Sequence, residues 1–144
     1  AAILLFRGAS MVITYQWQLS ESSEGAGIGT NQAVTKTGDG IISVTAVTGP
    51  ANKEVLVGWD SDTIQALILL STVDCTVYTN AASTGSPDDT IALKANEPLV
   101  WARDSGVPFP FDGGAGGVVS KIYVTNAAAA AGTLKIRGIE DVTP

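Results

Sequence analysis

The most regular stretch of the chain is Met11–Leu19. Met11, Ile13, Tyr15, Trp17 and Leu19 fall on one face, and Val12, Thr14, Gln16 and Gln18 on the other. Alternation with a period of two predicts a half-buried β-strand. Ile64–Leu70 is different, a nearly continuous apolar run whose length leaves strand and buried helix undivided by periodicity alone. Its surroundings decide for the strand, because Thr63 and Ile64 are β-branched and Thr72–Thr79 is mostly β-branched or aromatic. The two runs predict a central hairpin turning at Ser71–Asp74, with Cys75, Val77 and Thr79 opposite in direction to Thr76, Tyr78 and Asn80.

The closing pattern of that pair recurs downstream, where Tyr123-Val124-Thr125-Asn126 echoes Val77-Tyr78-Thr79-Asn80. Small-residue loops follow each copy, Ala81–Ser86 and Ala127–Gly132, and lead to the strands Thr90–Lys94 and Thr133–Arg137. This predicts two similar hairpins. A propeller would need about four copies of such a unit.

Further strands are predicted at Ala33–Lys36 and Ile41–Val47, joined as a hairpin by Thr37-Gly38-Asp39-Gly40, where Asp-Gly is a type I′ turn signal. Glu54–Trp59, Leu99–Ala102, Val118–Asn126 and Thr133–Ile139 complete the set. Ser20–Thr30 is a polar, glycine-rich loop; Gly25, Gly27 and Gly29 lack the spacing of a phosphate-binding motif. Arg103–Gly117, with Pro108, Pro110 and several glycines, is an irregular loop that Phe109 and Phe111 pin to the body. Ala127–Ala131 is too short to offset helix nucleation and reads as a loop.

About eight to ten short strands without an amphipathic helix predict an all-β antiparallel β-sandwich of jelly-roll type. The immunoglobulin alternative lacks its Cys-Trp-Cys framework here. The length of 144 residues fits one domain over residues 11–144. Residues 1–10 read as an N-terminal arm or a non-native extension, with Met11 a candidate start; the apolar Ala1–Phe6 lacks the basic region of a signal sequence.

Composition changes the functional picture mainly by exclusion. Charged residues make up 15% of the chain and the net charge is −6, without a basic cluster, which argues against nucleic-acid binding. So little charge fits either a surface covered in an assembly or a plain Thr/Ser/Asn surface. No apolar run reaches the length of about 18 residues that a membrane-spanning helix needs. With a single cysteine, Cys75, the chain has no internal disulfide, and a thiol inside a strand reads as buried and inert.

Histidine is absent, which removes the commonest general base and metal ligand and the Ser-His and Cys-His pairs. What remains is carboxylate chemistry at Asp60 and Asp62, Asp88 and Asp89, and Asp104 and Asp112. These are candidates for plain turn residues, a calcium site or a glycosidase pair. Trp17, Trp59 and Trp101 with Tyr15, Tyr78 and Tyr123 are candidates for core positions or for a sugar-stacking platform. No residue is assigned a catalytic, cofactor or metal role on this basis, and the expected protein is not an enzyme and needs no cofactor.

Val73–Asn80, Asp89–Trp101, Ile122–Asn126 and Gly132–Arg137 together resemble small structural proteins of tailed bacteriophages, the capsid decoration (cement) or minor virion proteins of jelly-roll type. The resemblance covers Ile64–Pro144. It implies a virion protein on the capsid surface, bound to the major capsid protein, often as homotrimers where capsomers meet. Ala1–Ser10, Ser20–Thr30 and Arg103–Gly117 would then be the expected contacts. The rival expectation is a carbohydrate-binding or receptor-binding module.

Overall fold

A computed structural model describes residues 11–19, 30–47, 49, 51–127 and 130–141. Among them are nine strands: β1 (Met11–Leu19), β2 (Thr30–Val47), β3 (Lys53–Asp60), β4 (Ile64–Ser71), β5 (Cys75–Thr79), β6 (Thr90–Leu93), β7 (Leu99–Ala102), β8 (Val118–Thr125) and β9 (Gly132–Glu140). They form two antiparallel sheets in the orders β1-β2-β9-β4-β7 and β3-β8-β5-β6. Without β1, the orders 2-9-4-7 and 3-8-5-6 are those of a jelly roll.

The strands lie where the apolar patterns place them, but most do not pair as predicted. β4 and β5 belong to different sheets, so Ile64–Thr79 is an arch across the sandwich and not a hairpin. Its link is closed locally: Ser71 Oγ donates to the Val73 carbonyl at 2.6 Å, and Thr72 N donates to the Thr133 carbonyl at 3.0 Å. β8 to β9 is likewise an arch, while β5 and β6 do form a hairpin. The sequence echo becomes a side-by-side pair instead, because β5 and β8 are neighbours with Val77 opposite Val124 and Tyr78 opposite Tyr123.

The two asparagines that end the echoed motifs fasten these connections. Asn80, with φ at 60°, donates from Nδ2 to Asp88 Oδ2 at 2.6 Å and to the Val118 carbonyl at 3.0 Å. Buried Asn126 donates from Nδ2 to the Val47 and Ala130 carbonyls at 3.2 and 2.9 Å. Asparagine tolerates the left-handed region and carries its own donors, so each closes a loop that lacks a ladder. Ala127 and Ala130–Ala131 are not helical, as the nucleation argument requires.

The predicted hairpin around Asp39-Gly40 is overturned. Thr30–Val47 is one strand of 18 residues, and neither Gly38 nor Gly40 has a positive φ. Thr30–Gly38 pairs with β1, and Asp39–Val47 pairs with β9. The Gly-Asp-Gly segment is a strand corner, where missing Cβ atoms let the backbone pass closely. A Cβ on Gly38 would meet the Glu140 carbonyl and stand 3.1 Å from Ile139 Cγ2; one on Gly40 would stand 3.3 Å from Ile13 Cδ1. The β1–β2 ribbon thus folds back toward β9, and Tyr15 Oη donates to the Gly138 carbonyl at 3.0 Å.

Between the sheets, Leu67, Leu69, Leu134 and Ile136 face Val77, Val119, Ile122 and Val124, all of them fully buried. An aromatic chain closes one side: Trp59 to Phe111 at 5.4 Å, Phe111 to Phe109 at 6.0 Å, Phe109 to Trp101 at 4.7 Å. Trp59 is on β3 and Trp101 on β7, so the loop carrying Phe109 and Phe111 is pinned to the body, as the sequence predicts, and beyond that prediction bridges the two sheets. Trp59 reaches the core across a bulge at Gly58, whose φ is 74°.

A polar clamp ties the turn before β7 to the β4–β5 arch. Lys94 Nζ lies 2.9 Å from Asp74 Oδ2, and Ala95 N donates to Asp74 Oδ1 at 2.8 Å. The lysine first, then the backbone N–H, hold the Asp74 carboxyl below its ordinary value of 3.8. A depressed carboxyl pKa contributes stability above pH 3.8, lost as pH falls through the lower folded-state value. Both partners are well exposed, so the global effect is small. An NMR titration of Asp74 is expected to give a midpoint below 3.8, and Lys94→Ala to move it back upward; a midpoint unmoved by Lys94→Ala contradicts the clamp.

Candidate binding surfaces

Asp60 and Asp112 cap their own turns, while Asp88 and Asp89 tie loops together. Asp60 Oδ1 accepts from Asp62 N at 2.8 Å and the Asp60 carbonyl accepts from Thr63 N at 3.1 Å, closing the link from β3 to β4. Asp89 Oδ2 accepts from the buried Thr79 hydroxyl at 2.7 Å and from Gly113 N at 3.3 Å. Asp112 Oδ1 accepts from Gly114 N at 2.9 Å. The structure therefore brings Asp88, Asp89 and the Asp112 turn together, with these carboxylates bonded to backbone or side-chain donors. Among the described residues no group of three or more acidic or cysteine side chains is placed to hold a metal ion.

The six-aromatic platform does not assemble. Trp59 and Trp101 are core residues at 0% and 6% exposure, and the Trp101 indole donates to the Val107 carbonyl at 2.8 Å. Tyr15 is half-buried against β9, and burial pushes its phenol above the ordinary value while Arg137 opposes that shift. The Trp17 side chain lies outside the described residues.

Tyr78 and Tyr123 remain, opposite one another on β5 and β8 and on the outward register of their sheet. Tyr123 Oη donates to Glu54 Oε2 at 2.8 Å, and Lys121 Nζ lies 3.6 Å from the same oxygen and 5.5 Å from the Tyr123 ring centroid. The phenol first, then the lysine, hold the Glu54 carboxyl below its ordinary value. The result is a shallow face of two aromatic rings flanked by an acid, a base and the exposed Leu56. Sequence reasoning noticed the echo but not this adjacency. The echo does not carry that signal, because alternation tells which side chains share a face and not which strands pair.

Cys75 is buried and burial raises its thiol pKa, which fits an inert thiol. Of the three segments implied as contacts, Ala1–Ser10 and Ser20–Gly29 lie outside the described residues. Arg103–Gly117 is pinned to the body at its ends and centre: Phe111 is fully buried, and Arg103 donates from Nε to the Ile64 carbonyl at 2.9 Å and from a terminal nitrogen to the Ser61 carbonyl at 2.6 Å. Most of the rest is exposed, namely Asp104–Pro108, Asp112, Gly114 and Gly116, with Val107 at 61% exposure.

The remaining surface of note is the β1–β2 ribbon. Its strand β1 lies outside the eight jelly-roll strands, and none of the side chains from Val12 to Gln16 belongs to the hydrophobic core. Ile13 and Tyr15 are half-buried, while Val12, Thr14 and Gln16 are exposed, Val12 at 68%. Among the described residues no helix is long and apolar enough to cross a membrane.

No family model and no curated protein matches the chain. Two solved structures are similar to it. One is a de novo designed double-stranded β-helix determined by solution NMR, at 11% identity and a TM-score of 0.39, covering 67% of this chain and 96% of the design. The other is the cupin domain of Schizosaccharomyces pombe Cnp3, at 9% identity and a TM-score of 0.38, covering 88% of this chain and 84% of that domain. The chain is an antiparallel β-sandwich of jelly-roll type, as its own strand order requires.

Proposed function

We propose that this protein is a non-enzymatic virion structural protein that binds the outer surface of a tailed-phage capsid and stabilises the shell by bridging capsomers. The observation that carries this reading is the β1–β2 ribbon. It pairs β1 with the first half of an 18-residue strand and exposes an uncharged row of Val12, Thr14 and Gln16. Such an appendage suits contact with other subunits better than chemistry. A protein that binds only the assembled shell lowers its free energy by about 2.7 kcal/mol per site at 100 times Kd.

The test uses shells assembled from the major capsid protein encoded in the same genome. Saturable co-sedimentation with those shells is expected, together with a higher temperature of heat-induced shell disassembly. Failure to bind, or the absence of a capsid protein from that genome, overturns the reading.

The Tyr78–Tyr123 face favours a second reading, a sugar-binding module, because paired aromatic rings with flanking polar groups suit the faces and hydroxyls of a glycan. Glycan-array binding that disappears in the Tyr78→Ala/Tyr123→Ala double variant would replace the capsid reading with this one.

A further inference from the structure

We propose that the outer edge of β1 pairs antiparallel with β1 of a second copy of this chain, making a two-fold dimer. The inference stands apart from the capsid reading, since it concerns how two copies meet and not what they cover.

A sandwich has four sheet edges, and an edge with open backbone groups is a template for another strand unless it is blocked. Among the described residues those edges are β1, β7, β3 and β6. β6 and β7 are protected by shortness, at four residues each. β3 opens with Lys53 and Glu54 and is interrupted by the bulge at Gly58. β1 has none of these devices. It is nine residues long, contains no proline, glycine or charged residue, and keeps an unbroken register with β2.

The strand is also self-complementary. An antiparallel ladder centred on Tyr15 sets Met11 opposite Leu19, Val12 opposite Gln18, Ile13 opposite Trp17, and Thr14 opposite Gln16. Apolar positions meet apolar ones and polar positions meet polar ones, because odd numbers pair with odd and even with even. Charge points the same way. Two chains of net charge −6 repel, and a seam made only of uncharged residues is where that repulsion is least. Such a contact is isologous, so it closes at two copies and does not propagate.

The test is the mass of the full chain by sedimentation equilibrium across concentration, with two double variants. Thr14→Lys/Gln16→Lys places lysine opposite lysine twice across the proposed seam. Thr14→Lys/Gln16→Glu places lysine opposite glutamate twice. Within the chain, residues 14 and 16 face Thr35 and Ala33, so neither variant sets a charge opposite a charge across its own ribbon. Both share Thr14→Lys, so any effect of losing that threonine is common to them.

The wild type is expected to be a dimer, the Lys/Lys variant to dissociate about tenfold more readily, and the Lys/Glu variant to hold at least as tightly as the wild type. A monomeric wild type overturns the proposal. So does an oligomer whose affinity is the same in both variants, or is weakened equally by both.

Discussion

Replacing Trp59 with alanine is expected to cost about 3–5 kcal/mol of unfolding free energy. In thermal unfolding that corresponds to a fall on the order of 10–20 °C for a chain of this size. The indole is fully buried and stacks against Phe111 at 5.4 Å, at the head of the aromatic chain that joins the two sheets. Its loss leaves a void that the loop carrying Phe109 and Phe111 fills poorly, because Phe109 is held by Trp101 as well. Trp59→Phe separates volume from polarity. Trp59 Nε1 is buried without a hydrogen-bond partner among the described residues, and such an orphan donor costs about 1–3 kcal/mol. Phenylalanine removes that penalty while giving up part of the packing, so the expected net loss is under about 1.5 kcal/mol. If phenylalanine destabilises as much as alanine, the indole N–H is satisfied and the account of this corner is wrong.

The strands were legible in the sequence; apart from β5 with β6, their partners were not. Alternation in Met11–Leu19 and the apolar run at Ile64–Leu70 report which residues face a core, and both become strands with nearly the expected bounds. A turn signal reports only that the chain changes direction. Ser71–Asp74 supplies the same turn chemistry whether the next strand returns beside β4 or crosses to the opposite sheet. What selects the arch is pairing at a distance: Leu67 lies between Trp101 and Gly138, and Leu69 between Leu99 and Ile136. Those partners are far away in sequence, and no local pattern announces them.

The candidate surfaces divide along the same line. Asp60 and Asp112 were readable as turn residues because aspartate bonds its own nearby backbone, as in Asp62 N to Asp60 Oδ1 and Gly114 N to Asp112 Oδ1. The two outward tyrosines needed the pairing of β5 with β8 before they became neighbours. β1 is the outer strand of its sheet, and the exposure of Val12, Thr14 and Gln16 became visible only once that order was known.

Substituting Gly38 with alanine is expected to cost on the order of 3 kcal/mol, while Gly40→Ala costs about 1 kcal/mol or less. The contrast separates a strand corner from a hairpin turn. In a type I′ turn at Asp39-Gly40 both central residues need a positive φ, so the glycine at 40 would be the one that resists substitution. At a corner the resisting residue is the one whose missing Cβ lets another backbone pass. A Cβ on Gly38 meets the Glu140 carbonyl of β9, and β9 is held on its other side by β4, so it has no room to yield. At Gly40 the nearest obstacle is Ile13 Cδ1 at 3.3 Å, the far end of a flexible side chain. Denaturant unfolding of the two variants measures the order, and hydrogen exchange at the amides of Met11–Leu19 reads whether the ribbon has come away from β9. Gly38→Ala is expected to speed that exchange locally even where the jelly roll stays folded, because the corner holds the ribbon against β9. Should Gly40→Ala prove the more damaging change, residues 38–40 turn and do not run through, and the ribbon is an ordinary hairpin.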